Sequence, residues 1–247
     1  MGKKPPQDPQ SIFPELVEDL RQALGDDLLS VTVFGSAAGG RYQKGKSDIN
    51  LLVVVRDQAG NQTQRLIPFA KKWASARVAT PLVLTPPYLA SSQDVFPLEF
   101  MVMAAEHQVL AGEDPLAGVE IQPRYLRLQL ERELRGKLLN LRSRIISSQG
   151  RKAELMILVG QALPALKALF KAYLQLTTGA FPNQPEEIMQ AMARQGHRME
   201  SLNRLYQVRQ GQIKAGSEEL LKLLQGACEE LQTLTREVDS LAVEQGA

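Results

Sequence analysis

Apolar residues recur with two different periods along the chain, and the change from one to the other divides it. Phe13, Leu16, Val17, Leu20 and Leu24 fall on one helical face, which predicts a helix opening at Ser11 and stopping at Gly25. Two β-branched runs follow, Leu29 to Phe34 and Ile49 to Val55, with a turn-rich stretch between them. Leu66, Phe69, Ala70 and Trp73 predict an amphipathic helix packed on the sheet. Pro81 to Thr85 and Leu98 to Met103 read as two further strands. Helix and strand are mixed, so residues 11–115 are expected to form an α/β (α+β) domain with a mixed sheet.

After Pro123 no convincing strand occurs. Helical patterns succeed one another at about 123–148, 152–178, 185–209 and 217–243, so an all-α bundle is expected over 122–247. In the last of them Leu220, Leu224, Ala227, Leu231, Leu234, Val238 and Leu241 alternate at three- and four-residue spacing. That stripe suits a bundle core, and it leaves a homodimer through the helical domain open. Residues 1–10, rich in Pro, Lys and Gln, are expected as a flexible arm. Leu155 to Phe170 is strongly apolar, but Gln161, Pro164 and Lys167 argue against a membrane span.

Composition narrows the function classes. A chain of 247 residues can bury its own core without staples. Its single Cys228, with only His107 and His197 beside it, offers no set with zinc-site spacing. The opening residues lack the apolar region of a signal peptide, so the protein is read as cytoplasmic, with no membrane partner. The net charge of +2 conceals an uneven distribution, because residues 124–152 hold nine Lys/Arg against two Asp/Glu. Such a segment is either a solvated helix face or a contact for something anionic.

Two phosphate motifs compete for one stretch of chain. Gly40 to Ser47 matches the G-x-x-x-x-G-K-[ST] pattern of a P-loop. That loop needs a helix opening at its Lys-Ser to present amides to the phosphates. Here Asp-Ile-Asn-Leu-Leu-Val-Val-Val follows Ser47 at once and reads as a strand, so the P-loop reading is set aside. The other pattern is the strand Val31 to Phe34, then Gly35-Ser36, a spacer, and Ser47-Asp48-Ile49-Asn50 leading a second strand. In these residues the chain, over roughly 29–112, resembles the DNA polymerase β-like nucleotidyltransferase superfamily, whose signature is a hydrophobic strand, Gly-Ser, a spacer and Asp-x-Asp.

The resemblance implies a nucleoside triphosphate and Mg²⁺ at the turn from Gly35 to Asn50. Gly35 lets the backbone approach a phosphate, and Ser36 can offer a hydroxyl and an amide. Positions 48 and 50 leave one face of a strand about 7 Å apart, a spacing suited to bridging metal ions. The superfamily adds a third carboxylate from a later strand, for which Glu99 is the candidate; the expected metal and catalytic set is Asp48, Asn50 and Glu99. Lys44, Lys46 and Ser47, with Arg41 nearby, lie in the spacer where they could hold the triphosphate. Asn50 departs from the family pattern: its amide oxygen can ligate Mg²⁺ but brings no charge, which lowers metal affinity and the charge stabilisation on which phosphoryl-type transfer depends. Two classes therefore stay open. One is an enzyme moving a nucleoside monophosphate to a hydroxyl acceptor that the sequence does not name, weakened or silenced by Asn50. The other is an inactive regulatory or interaction module on the same fold.

The two-domain layout is similar to the kanamycin-type and other small nucleotidyltransferases, in which case Arg127, Arg135 or Lys137 could reach a phosphate. Nucleic acid is not expected as the main partner, since aromatic residues make up 5% of the chain and only Tyr125 lies among the arginines. The bundle also resembles HEPN domains, but the Arg-to-His spacing of the ribonuclease type is absent at Arg194 and His197. Both histidines are expected to be ordinary packing or surface residues.

Overall fold

The computed structural model describes residues 3–242. The chain divides into two compact units, Met1–Ile121 and Gln122–Ala247.

In the first unit, a short 3-10 turn capped by Asp8 leads into α1 (Phe13–Leu24), which ends at Gly25 with φ 56°. Then come β1 (Leu28–Phe34), β2 (Asn50–Val55), α2 (Ile67–Trp73), β3 (Leu82–Leu84), α3 (Pro86–Ser91), α4 (Pro97–Ala105) and β4 (His107–Gly112). The sheet order is β3-β2-β1-β4. β1 runs antiparallel to both β2 and β4, and β3 runs parallel to β2, so the sheet is mixed as expected.

Alternation along β2 sends its residues into two separate cores. Ile49, Leu51, Val53 and Val55 join Val31 and Val33 beneath α1 and α2, where Leu16, Leu20 and Trp73 are fully buried. Leu52 and Val54 face the other way and pack with Leu84, Leu89, Phe100 and Met103. A strand covered on both faces has no polar side, which explains the unbroken apolar run. The expected flexible arm is seen in contact with this unit: Pro9 is buried, Lys3 pairs with Glu15, and its ammonium lies 4.5 Å from the Trp73 ring centroid.

One element departs from the sequence reading. Leu98 to Met103, expected as a strand, belongs to helix α4, with Pro97 in its first turn and Glu99 exposed on it. The strand that completes the sheet is β4, which follows that helix and pairs with β1 from Ser30 to Phe34.

The second unit is helical: α5 (Pro123–Ser147), α6 (Lys152–Thr178), α7 (Pro185–Arg194), α8 (Glu200–Arg209) and α9 (Ser217–Ser240). The expected helix over 185–209 is interrupted between α7 and α8, where Gly196 (φ 89°) and Met199 (φ 48°) adopt left-handed backbone. Met199 cannot cap α8, and the Glu230 carboxylate of α9 takes over by accepting the amides of Ser201 and Leu202 at 2.7 and 3.0 Å. Burial pushes the Glu230 carboxyl pKa up, against the pull of those amides. The α9 stripe from Leu220 to Val238 is buried within the unit, so the face that left a homodimer open is already covered; Leu241 lies just past the helix, and the expected end at Val243 lies outside the described residues. α6 is long and apolar enough to cross a membrane by length and composition alone, and it is the helix that α5, α7, α8 and α9 all pack against.

The basic segment is largely engaged inside this unit. Arg127 and Arg135 both pair with Glu131, Arg135 also reaches Asp239, and Lys137 lies 3.7 Å from Glu133. Arg127 donates as well to the carbonyls of Val238 and Asp239, at 3.2 and 3.3 Å, at the negative end of α9.

A polar cluster with Tyr173 and His197 buried and Glu237 at its exposed edge joins α6, the loop before α8, and α9. The Tyr173 hydroxyl lies 3.0 Å from His197 Nε2 and donates to Glu237, whose other oxygen is 3.0 Å from the same nitrogen. Burial, then the Glu237 carboxylate, raises the Tyr173 pKa. A phenol held neutral in the fold contributes stability that is whole below the ordinary tyrosine pKa, about 10, and fades as pH climbs through the raised value. Alkaline unfolding followed by circular dichroism should therefore steepen above about pH 10, the ordinary tyrosine value, and Tyr173→Phe should flatten the dependence. An unchanged profile would refute the assignment.

Candidate functional site

The site is built on the ends of β1 and β2 and the loop between them. β1 ends at Phe34, and Gly35 turns the chain with φ 76°, a conformation that side chains other than glycine's resist. Gly35–Ala37 form a 3-10 turn, after which Ala38 and Gly39 donate to the Gly35 carbonyl and Arg41 to that of Ser36. A second turn at Lys44-Gly45-Lys46 is closed by Lys46 and Ser47 amides on the Gln43 carbonyl, while the Ser47 hydroxyl accepts the Gln43 amide at 3.0 Å. Lys44 and Lys46 are exposed.

No helix opens at Ser47. Ile49 is fully buried in the core beneath α1 and α2, so its neighbours Asp48 and Asn50 leave the opposite face. Asn50 stands opposite Phe34 in the β1–β2 register, and its Nδ2 lies 3.5 Å from where a β-carbon on Gly35 would be. Gly35 and Asn50 are thus brought together. The Gly35 amide donates to the Glu106 carbonyl at 2.8 Å. That leaves Ser36 as the half-buried donor of the pair.

Two arginines neutralise carboxylates here: Arg77, which the motif did not single out, and Arg41, expected near the triphosphate. Arg77, after the 3-10 turn that extends α2, has φ 62° and reaches back to the lead-in of β2. Its guanidinium donates to the carbonyls of Ser47 (3.3 Å) and Lys46 (3.0 Å) and pairs with Asp48 at 2.9 Å. Its own carbonyl accepts the Ile49 amide at 2.9 Å. Arg77 lies 29 positions from Asp48 in an alanine-rich stretch, and no local pattern marks it. The pair is 37% and 55% exposed, and such surface pairs contribute about 0–1 kcal/mol. Arg41 pairs with Glu106, whose second oxygen is buried without a partner. Gly39 makes room for this contact, since a β-carbon there would come within 2.7 Å of the Glu106 carboxylate. The Tyr42 hydroxyl is also buried without a partner, and burial pushes its pKa up despite the opposing pull of Arg77.

The donor set does not fit a pair of divalent ions. Mg²⁺ on a triphosphate is held by one or two carboxylates together with phosphate oxygens, so a pair of ions draws on two or more carboxylates that converge. None of the four strands carries an Asp or Glu. Asp48 precedes β2, β3 beside it reads Leu82-Val83-Leu84, and Glu99 stands on helix α4 instead of a strand. Among the described residues no three His, Cys, Asp or Glu side chains come together as a metal site.

Comparison with known proteins adds a family and a fold. Residues 14–98 match the family described as "Nucleotidyltransferase domain". No curated protein matches the sequence. Among solved structures, the spectinomycin adenyltransferase AAD(9) from Enterococcus faecialis, crystallised with ATP and spectinomycin, superimposes with a TM-score of 0.55 at 15% identity, covering 89% of this chain and 99% of that one. At that identity the likeness is one of fold.

Proposed function

We propose, for a chain whose residues 14–98 are a nucleotidyltransferase domain, that it binds a nucleoside triphosphate at the turn from Gly35 to Asn50 and that transfer of a nucleoside monophosphate is weakened or lost. The observation that carries the reading is the absence of any carboxylate on the four strands of the sheet. Metal ions in this chemistry supply the charge stabilisation at phosphorus, and their affinity depends on the number of anionic ligands. Asp48 provides one, already balanced by Arg77, and Asn50 provides none. Nucleotide binding draws support from the exposed Lys44 and Lys46, the Ser36 hydroxyl and the ATP bound by the structural neighbour. When bound, Mg²⁺ would enter chiefly as the counter-ion of the triphosphate, with Asp48 and the Asn50 amide oxygen as its protein ligands. A regulatory role, in which occupancy of the site is the signal, follows more directly from this geometry than turnover does.

The test is calorimetric titration with ATP, GTP, CTP and UTP, with and without Mg²⁺, alongside a pyrophosphate-release assay. Binding of one nucleotide with little dependence on Mg²⁺, and no pyrophosphate release, is expected. Pyrophosphate release that disappears in Asn50→Ala would establish an active enzyme. Failure of every nucleotide to bind would overturn the reading altogether.

A further inference from the structure

The helical unit contains a cavity of about 230 Å³ between α6, α7 and α8. We infer that it is a binding site for a small amphipathic anion, a ring or short alkyl chain bearing one carboxylate. Its wall is apolar, formed by Leu166, Phe170, Ile188 and Leu202. Its polar lining groups all suit an anion: Lys167, Tyr206 and Arg209, with no Asp or Glu in the lining. The Tyr206 hydroxyl accepts from Gln210 Nε2 at 2.9 Å, which leaves its own proton to donate. Arg209 is exposed and forms no ion pair among the described residues.

The backbone supplies an independent observation. Pro164 lines the cavity from within α6, where it removes one helical hydrogen bond. Size sets the ligand class, since a cavity of about 150 Å³ lined by aliphatic and aromatic groups already accepts benzene. The space here takes a larger apolar body, with its charged end at Arg209, where a charge-assisted bond is strongest. This site lies in the second unit, and its ligand owes nothing to the nucleotide reading.

The experiment is titration of the full chain, without nucleotide, with sodium octanoate and with 1-octanol as its uncharged match, read by calorimetry and by the methyl signals of Ile188 and Met189. One octanoate should bind per chain, about tenfold more tightly than octanol, and the exposed-site variant Arg209→Glu should weaken it by about tenfold or more, a difference of one decade in Kd. Ile188→Trp should abolish binding by filling the space; if it does not fold, Arg209→Glu and the octanol comparison still decide. No saturable binding at millimolar octanoate, equal affinity for octanol, or indifference to Arg209→Glu would each overturn the inference.

Discussion

A double variant, Asn50→Asp with Leu82→Glu, is expected to bind a nucleoside triphosphate at least about tenfold more tightly with Mg²⁺ than without it, where the parent chain shows little dependence. Position 82 is chosen from the register. Leu82 pairs with Leu52 on the parallel strand β2, and Leu52 shares its face with Asn50. Leu82 is 41% exposed, so a carboxylate there stays hydrated and the core is left alone. The two changes raise the site from one anionic ligand to three, enough to balance a divalent ion in place of the Arg77 guanidinium. Asn50→Asp alone should shift the dependence only slightly. Calorimetry at matched ionic strength, with EDTA as the metal-free arm, measures both. A double variant no more sensitive to Mg²⁺ than the parent would show that missing carboxylates are not what disables the site.

Trp73→Ala is expected to cost the N-terminal unit about 3–5 kcal/mol, the range for deleting a large aromatic from a packed core. Trp73 is fully buried between α1 and the sheet, and its indole Nε1 donates to Asp19 at 2.8 Å. Removing it opens a cavity, strips that partner from Asp19, which keeps only Lys72, and takes away the ring over which Lys3 and Lys72 lie. Domains are stable by about 5–15 kcal/mol in all, so the loss is a large fraction of the total. Urea unfolding monitored by far-ultraviolet circular dichroism reads the shift in midpoint. A loss below about 1 kcal/mol, the scale of an ordinary surface change, would contradict the packing described.

The residues that could be read in advance were those whose pattern is local. Phe13 to Leu24 announced α1 because five apolar positions share one helical face, and Leu29 to Phe34 announced β1 by its branched side chains. Leu98 to Met103 misled because a short run that is apolar but for Glu99 suits a strand and a helix equally, and Pro97 at the helix start was the deciding signal. β4 escaped because it is only half-buried, so His107 to Gly112 shows no alternation. The neighbourhood of Gly35 and Asn50 was legible from their motif. The Asp48–Arg77 and Arg41–Glu106 pairs were not, since they join segments 29 and 65 positions apart through folding alone. The break between α7 and α8 was foreshadowed by Gly196, but the rescue of α8 by Glu230 depends on a helix from elsewhere in the chain.

Arg127, near the start of the helical unit, clasps the carbonyls of Val238 and Asp239 at the close of α9. A growing polypeptide therefore presents α5 to solvent or a chaperone long before its companion exists. Closure must await synthesis of α9, 112 positions beyond Arg127, so a message truncated within the α9 codons would yield a bundle with an open seam along α5.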